Sequence, residues 1–188
     1  MLKITMSQPE IDLFSSFLRA SASYFEFGMG GSTCLAASLV KSHVYSVDSD
    51  VSWIDRVREE VAESATEVSL IHVDIGPTGA WGTPINRNMA HLFDAYSLAI
   101  TRPGFPPFDL CLVDGRFRVA CFLQAILHLD ACAVVGIHDY TVRPHYHVVE
   151  EFARPIAASG QLVFFVKRKN ADPKALKKVL DAHRRVSA

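Results

Sequence analysis

Carboxylates follow most of the short apolar segments of this chain. Four aspartates share this position: Asp48, Asp74, Asp114 and Asp139. A fifth acid, Glu26, lies two residues before a glycine cluster that begins at Gly28. If the apolar segments are parallel strands, their carboxyl ends meet at one edge of a sheet, which is where such sheets bind ligands. Grouped carboxylates repel one another unless a ligand or a protein cation uses their charge. The spacing therefore predicts a ligand site at that edge.

The glycine cluster, residues 28–32 (Gly-Met-Gly-Gly-Ser), indicates what kind of ligand this is. A dinucleotide site needs a third glycine, so that a pyrophosphate can lie against the helix N-terminus. Thr33 stands at that position, and the charge of Glu26 would repel a pyrophosphate. The cluster therefore favours a ligand with an ammonium and a sulfonium group. A nicotinamide-dependent oxidoreductase stays open as an alternative.

Short β-rich segments alternate with amphipathic ones. Strands are predicted over 24–27, 44–47, 68–73, 110–113, 133–137 and 162–166. Helices are predicted after Ser7, over 34–41, 51–63, 87–100, 119–129 and 146–152, and after Asp172. This order predicts an α/β fold with a sheet covered on both faces. We expect a single domain over 1–188, with an N-terminal helix in 1–20, a core over 21–168 and a basic C-terminal helix in 169–188.

Composition excludes several classes of protein. The chain has 188 residues, 49% of them hydrophobic, and a formal net charge of −1, which is typical of one globular domain without a strong overall field. The basic C-terminal segment is interpreted as a solvated helix face, so we expect no nucleic-acid binding. Four cysteines without paired spacing indicate a reducing compartment. No apolar segment approaches the roughly 20 residues of a membrane-spanning helix. We therefore expect a cytoplasmic protein without membrane contact.

Together, the string from Glu26 to Ser32 and the acids Asp48, Asp74 and Asp114 resemble the class I S-adenosylmethionine-dependent methyltransferases. The resemblance spans roughly residues 20–168, and the chain is most similar to small stand-alone O-methyltransferase-like domains. It implies a Rossmann-like, three-layer αβα fold whose seven-stranded sheet is mostly parallel, with the last strand antiparallel. It also implies S-adenosylmethionine as cofactor and S-adenosylhomocysteine as product.

The resemblance implies a role for each matching residue. Gly28 and Gly30 would let the cofactor's aminocarboxypropyl tail approach the backbone, and Glu26 would face its ammonium group directly or through water. Asp48 would accept both ribose hydroxyls. Asp74 would receive the adenine amino group, with Ile75 beside the ring. The implied cofactor-binding set is Glu26, Gly28, Met29, Gly30, Ser32, Asp48, Ser49, Asp74, Ile75 and Asp114.

Chemistry is expected at the ends of the fourth and fifth strands. Asp114 would lie near the transferred methyl group, and His138 and Asp139 are the candidate bases because both follow the fifth strand. Metal-dependent relatives carry a lysine where Phe117 stands and an asparagine where Tyr140 stands, so we expect no catalytic metal. Three residues are candidates for contact with the substrate: Arg116, Arg118 and Tyr140. The two arginines favour a substrate that carries a negative charge.

The sequence thus predicts methyl transfer from S-adenosylmethionine to a small-molecule hydroxyl or amine. A non-catalytic module that binds cofactor or a protein partner is the second hypothesis, and an NAD(P)-dependent oxidoreductase is the third. Formation of a homodimer stays open. The role of Trp81 also stays open, because it could either cover the adenine or anchor its own loop.

Overall fold

The computed structural model describes residues 2–187, which form one seven-stranded sheet flanked by helices. The strands are β1 Ser23–Phe27, β2 His43–Asp48, β3 Glu67–His72, β4 Leu110–Val113, β5 Val134–Ile137, β6 Ala153–Ser159 and β7 Leu162–Lys167. The α-helices are α1 Gln8–Ala20, α2 Gly31–Leu39, α3 Val51–Val61, α4 Asp94–Leu98, α5 Arg118–His128 and α6 Pro173–His183. Short 3₁₀ helices cover Ala80–Gly82, Arg87–Leu92, Ala99–Thr101 and Pro144–Glu151.

The strand order is β3-β2-β1-β4-β5-β7-β6, and β7 runs antiparallel to both of its neighbours. The predicted fold class is therefore confirmed, including the antiparallel last strand. β6 is the strand that the sequence did not reveal. It is an edge strand whose residues are mostly exposed, and it has an irregular register between Pro155 and Ala157. Without an apolar face it lacks the alternating pattern that marks a half-buried strand.

The prediction of one continuous helix over 87–100 is wrong. The segment forms a 3₁₀ helix, the five-residue helix α4 and a second 3₁₀ turn. The predicted short helix over 146–152 corresponds to the 3₁₀ helix Pro144–Glu151. Neither difference affects the strands that carry the acids.

Two hydrophobic clusters cover the two faces of the sheet. On one face, Phe14 and Leu18 of α1 pack with Tyr24, Val44 and other strand residues. On the opposite face, a larger cluster joins Phe25 and Phe27 of β1 to helices α5 and α6. All five residues of β1 are buried, because this strand lies in the middle of the sheet with helices on both sides. No helix within residues 2–187 is long and apolar enough to cross a membrane.

Strand register brings the ends of four strands to one level. Phe27 pairs with Val47 and with Val113, and Val113 pairs with Ile137. The residues that follow these positions therefore emerge side by side at one edge of the sheet. This alignment places the glycine cluster beside Asp48, Asp114 and His138.

Candidate functional site

A cleft of about 700 Å³ opens at this edge. Its walls are the glycine cluster, the ends of β2, β4 and β5, the loop around Trp81, and the N-terminal segment Lys3–Thr5. The volume lies within the range of roughly 300–1,000 Å³ that small-molecule and cofactor sites occupy. Ten of the predicted site residues line the cleft: Gly28, Met29, Gly30, Ser32, Asp48, Asp114, Arg116, Arg118, His138 and Asp139. Five do not: Glu26, Ser49, Asp74, Ile75 and Tyr140.

Gly28 lies where the first and fourth strands end, and the structure requires glycine there. Its φ is +90°, and a Cβ added to it would lie 2.4 Å from the Cα of Gly115. Its N–H donates to the carbonyl oxygen of Val47 at 2.9 Å. Glycine is therefore required at position 28 because the backbone of Gly115 approaches it closely beneath the cleft.

Glu26 lies beneath the glycine cluster and does not border the cleft. Its carboxylate is fully buried, and it accepts hydrogen bonds from the hydroxyls of Thr33 and Ser46. The Thr33 hydroxyl in turn accepts the N–H of Gly30 at 2.9 Å. Burial raises the pKa of Glu26 to about 7, although the surrounding hydroxyls oppose this shift. Glu26 therefore supports the cluster through Thr33, and the structure shows its Oε1 buried without a hydrogen-bond partner among the described residues.

Asp48 closes β2 and is held by backbone N–H groups. Its two carboxylate oxygens accept from Met29 at 3.2 Å, Ser49 at 2.7 Å and Asp50 at 3.0 Å. Burial raises the pKa of Asp48 and these hydrogen bonds oppose the shift. The N-cap of α3 is Asp50, whose side chain accepts from the backbone of Ser52 and Trp53. Asp48 is therefore free of a capping role and presents its carboxylate to the cleft.

The residues predicted to hold the adenine lie outside the cleft. Asp74 is exposed, and its side chain accepts the N–H of Gly76 at 2.8 Å. Ile75 is 1% exposed and belongs to the larger hydrophobic cluster. Ser49 is buried beside Asp48, with its hydroxyl close to the loop of Gly82. Their predicted contacts with a cofactor stay predictions.

A buried arginine organises the ends of β4 and β5. The Nη1 of Arg118 lies 3.0 Å from Oδ1 of Asp114 and 3.2 Å from Oδ2 of Asp139. The same guanidinium donates to the carbonyl oxygens of Gly115 at 3.0 Å and His138 at 2.7 Å. Through Nε and Nη1, Arg118 is thus tied to two backbone carbonyls and neutralises the two carboxylates.

Arg116 differs from Arg118 in having no ion pair within residues 2–187. It lines the cleft, and its Nε is buried without a hydrogen-bond partner among residues 2–187. Burial lowers the pKa of Arg116, and the nearby charge of Arg118 lowers it further. Tyr140, the third predicted substrate residue, is 5% exposed and donates its hydroxyl to Glu150 at 2.6 Å, away from the cleft.

Several lining residues were not found from the sequence. The segment Lys3–Thr5 packs against Gly31, whose added Cβ would lie 2.7 Å from the backbone of Ile4. Arg143 lines the cleft four residues after Asp139, and its Nε lies 3.5 Å from that carboxylate. The N-terminal segment carries no periodic signal, so only the folded chain could reveal it. The position of Arg143 after the fifth strand was a usable signal.

Trp81 is at the rim of the cleft and does not anchor its loop. It is 82% exposed and has a left-handed backbone conformation with φ of +61°. Around it, the N–H of Gly79 donates to the carbonyl oxygen of Thr83 at 2.8 Å, which closes a tight turn. Trp81 therefore does not hold its loop in place by packing, since most of its side chain is exposed.

Residues 2–187 contain no group of three or more histidine, cysteine, aspartate or glutamate side chains placed to hold a metal ion.

Comparison with solved structures shows what this fold and cleft resemble. A methyltransferase-like protein from Silicibacter pomeroyi is 33% identical, aligned over 100% of this chain and 98% of that chain with a TM-score of 0.89. An O-methyltransferase from Bacillus cereus, solved with S-adenosylhomocysteine, is 14% identical over 88% of this chain and 83% of its own, with a TM-score of 0.61. An RNA methyltransferase from Salinibacter ruber is 13% identical over 90% of this chain and 99% of its own, with a TM-score of 0.52. No family model and no curated protein matches the sequence.

The chain belongs to the class I S-adenosylmethionine-dependent methyltransferase family. The similarity to the Silicibacter protein over the whole chain, together with the strand order, confirms the family and the fold class that the sequence predicted.

Proposed function

We propose that this protein binds S-adenosylmethionine in the cleft and transfers its methyl group to a small, negatively charged acceptor. The observation that carries this proposal is the position of Asp48 and the glycine cluster side by side on one wall of a cleft of about 700 Å³. On the adjacent wall lie Asp114, His138 and Asp139, which follow β4 and β5, and β4 pairs directly with β1. One cleft therefore offers room for a cofactor and an acceptor next to each other.

The residues present fit this cofactor. Asp48 keeps its carboxylate in the cleft, where it can accept hydroxyl groups, and the backbone of Met29 and Gly30 lines the space beside it. Among residues 2–187, a Cβ added at Gly30 would come within 4 Å of the Trp53 ring alone, at 3.6 Å, so there is space beside this backbone for a ligand. Lys3, also in the wall, can face the cofactor's carboxylate. When bound, S-adenosylmethionine supplies an electrophilic methyl group on a positively charged sulfur.

The chain's own contribution is to position the acceptor and to accept a proton from it. Holding a nucleophile close to the methyl carbon removes much of the entropic part of the barrier. An acceptor hydroxyl or amine also has to lose a proton. Asp114 and Asp139 line the cleft, and each side chain is 23% exposed, whereas His138 is 8% exposed. We assign the contact with the acceptor to these two carboxylates, with His138 acting from behind Asp114.

The charges in the wall support an anionic acceptor. Arg118 and Arg143 compensate Asp114 and Asp139, while Asp48 and Asp50 accept backbone N–H groups. Arg116 has no ion pair among the described residues, although its Nε is buried. Because Arg116 is half-buried and its buried Nε has no partner among the described residues, a carboxylate or phosphate of the acceptor would stabilise it. Arg116 rather than Arg118 is therefore the residue that we assign to substrate binding.

Binding of S-adenosylmethionine, S-adenosylhomocysteine and NADH, measured by calorimetry, tests the cofactor. We expect the first two to bind and NADH not to bind. Asp48→Ala should weaken S-adenosylhomocysteine about 10- to 100-fold, since a charge-assisted hydrogen bond contributes about 1.5–3 kcal/mol. Asp74→Ala is the matched control, because Asp74 follows the next strand but lies outside the cleft. Equal affinity in Asp48→Ala and wild type would contradict the assignment, and a larger loss in Asp74→Ala would restore its predicted adenine contact.

The acceptor class needs a separate measurement. With labelled S-adenosylmethionine, a panel of small hydroxy and amino acids should accept the methyl group, while the corresponding amides, which lack the carboxylate, should not. Arg116→Met should raise KM for such an acceptor and leave the affinity for S-adenosylhomocysteine unchanged. If Arg116→Met weakens S-adenosylhomocysteine instead, Arg116 contacts the cofactor. If the cofactor binds and no acceptor is labelled, the non-catalytic module is the better description.

We propose a small molecule rather than nucleic acid as the partner. The basic helix α6 offers no surface on which nucleic-acid bases could stack, because Pro173–His183 contains no phenylalanine, tyrosine or tryptophan. The resemblance to the Salinibacter RNA methyltransferase is one of fold. A gel-shift assay with single-stranded RNA at physiological salt should therefore show no complex.

A further inference from the structure

His138 is enclosed by carboxylates from three different segments of the chain. Its Nδ1 lies 3.2 Å from Oδ1 of Asp114 and 3.6 Å from Oδ1 of Asp139, and its Nε2 lies 3.6 Å from Oε1 of Glu10. The histidine side chain is only 8% exposed. Glu10 belongs to α1, far from the acids in sequence, and nothing in its spacing connects it to them.

Both ring nitrogens of His138 therefore face carboxylate oxygens, Nδ1 at 3.2 Å from Asp114 and Nε2 at 3.6 Å from Glu10, where Nε2 is buried without a hydrogen bond among residues 2–187. A neutral imidazole has one N–H group and one lone pair. With the proton on Nδ1, the lone pair of Nε2 would face Glu10; with the proton on Nε2, the lone pair of Nδ1 would face Asp114. Only the doubly protonated ring presents a donor to each side. The geometry consequently favours the cationic form of His138.

Glu10 is fixed on its other sides. Its Oε2 accepts the N–H and the hydroxyl of Ser7 at 2.6 and 2.7 Å, and its Oε1 accepts the N–H of Gln161 at 2.6 Å. Gly160 makes room for it, because an added Cβ there would lie 2.7 Å from Oε1. The carboxylate is thus held rigidly between the start of α1 and the β6–β7 turn. It cannot turn away from the histidine without losing these hydrogen bonds.

We propose that Glu10 is a positioning residue that keeps His138 as a resident cation behind Asp114. The charged groups that face His138 are Glu10 from α1, Asp114 and Arg118 from the β4–α5 segment, and Asp139 after β5. Three carboxylates surround His138, two arginines (Arg118 and Arg143) pair with two of them, and the proton on His138 supplies a third positive charge. The cation fixes the Asp114 carboxylate at the wall of the cleft, in the orientation from which it can reach an acceptor.

The direction of the pKa shift of His138 agrees with a cationic ring, and the carboxylates that raise this pKa most are Asp114 and Asp139. Burial by itself lowers the pKa of His138, but the hydrogen bond and charge of Asp114 and the charge of Asp139 outweigh it and raise the pKa above its ordinary value. A histidine with a raised folded pKa stabilises the fold below its unfolded pKa. That stabilisation is lost as the pH rises through the folded pKa.

NMR titration of the histidine rings tests the proposal without cofactor or acceptor. His138 is assigned by the signal that His138→Gln removes from the spectrum of eight histidines. In the wild-type protein, both ring nitrogens of His138 should carry a proton at about pH 6.5, the ordinary histidine pKa. In Glu10→Gln, the midpoint should fall by on the order of one pH unit, because an opposite charge at this distance is removed.

Two variants separate positioning from simple structural support. Ser7→Ala removes the Ser7 hydroxyl bond to Glu10 but keeps its charge, so it should weaken α1 and leave the His138 midpoint unchanged. Glu67→Gln removes the acid beside the exposed His43 and should leave His138 unchanged as well. The proposal is overturned if His138 is neutral at about pH 6.5 in the wild type, or if Ser7→Ala moves its midpoint as much as Glu10→Gln does. The wild-type titration decides even if Glu10→Gln does not fold. Neither result depends on the proposed methyl transfer.

Discussion

The two walls of the cleft hold their carboxylates by different means. At the ends of β1 and β2, Asp48 on the wall accepts backbone N–H groups, and Glu26 beneath the wall accepts hydroxyls. At the ends of β4 and β5, Asp114 and Asp139 are held by side-chain cations, above all Arg118. Backbone N–H groups orient a carboxylate without cancelling its charge, so the first wall can still attract a cationic ligand. The second wall is neutralised internally and works as a preorganised support for chemistry.

Because the second wall is held by side-chain cations, removing the two arginines that follow β4 should have unequal costs, and Arg118 has the largest expected effect. Arg118→Met leaves Asp114 and Asp139 without their shared partner and should lower the free energy of unfolding by about 3–5 kcal/mol. Arg116→Met is the matched control, because Arg116 has no ion pair among residues 2–187 and its loss leaves no carboxylate unpaired. Urea denaturation of both variants measures the difference. Equal destabilisation would show that the second wall is not organised by its arginine.

A second prediction concerns the pH dependence of the stability that Glu26 contributes beneath the first wall. Its folded pKa of about 7 lies above the ordinary value of 4.5, so its neutral form is favoured by folding. The stabilisation it contributes is present below pH 4.5 and is lost as the pH rises through about 7. Relative to Glu26→Gln, the wild type should therefore lose about 2–3 kcal/mol between about pH 5 and pH 8.

Denaturation at several pH values measures this change, and Glu67→Gln is the control, since Glu67 is exposed. If the free energy of unfolding has the same pH dependence in the wild type and in Glu26→Gln, the pKa of Glu26 is not raised by folding.

The smallest expected change in stability is at the junction between the two walls, where Gly28 contacts Gly115. Gly28→Ala should destabilise the protein by about 1–3 kcal/mol more than Gly104→Ala, the cost of forcing a methyl group against packed backbone. The two glycines have similar φ values, +90° and +88°, but a Cβ at Gly104 would have no atom of the described residues within 4 Å. Thermal unfolding of the two variants measures the difference. Equal loss would attribute the requirement at Gly28 to φ alone.

The sequence identified most of the first wall and the elements beneath it. Apolar strands that end in acids, and a glycine cluster between strand and helix, are local signals, and β1, β2, β4 and β5 lie within two residues of their predicted bounds. Ten of the fifteen predicted site residues line the cleft. β6 escaped detection because an exposed edge strand has no apolar alternation, and the predicted 87–100 helix lost its continuity to short 3₁₀ turns.

What the sequence by itself determined is the fold, the family and the edge of the sheet that carries the site, because strand period and strand-end residues are properties of neighbouring positions. Only the tertiary structure decided which of two nearby arginines is paired, that Asp74 and Tyr140 lie outside the cleft, and that Glu10 reaches His138 from α1. These properties depend on where a side chain points and what approaches it from another segment. Residues 10 and 138 meet only because α1 packs beside the β6–β7 turn, where Gln161 binds Glu10.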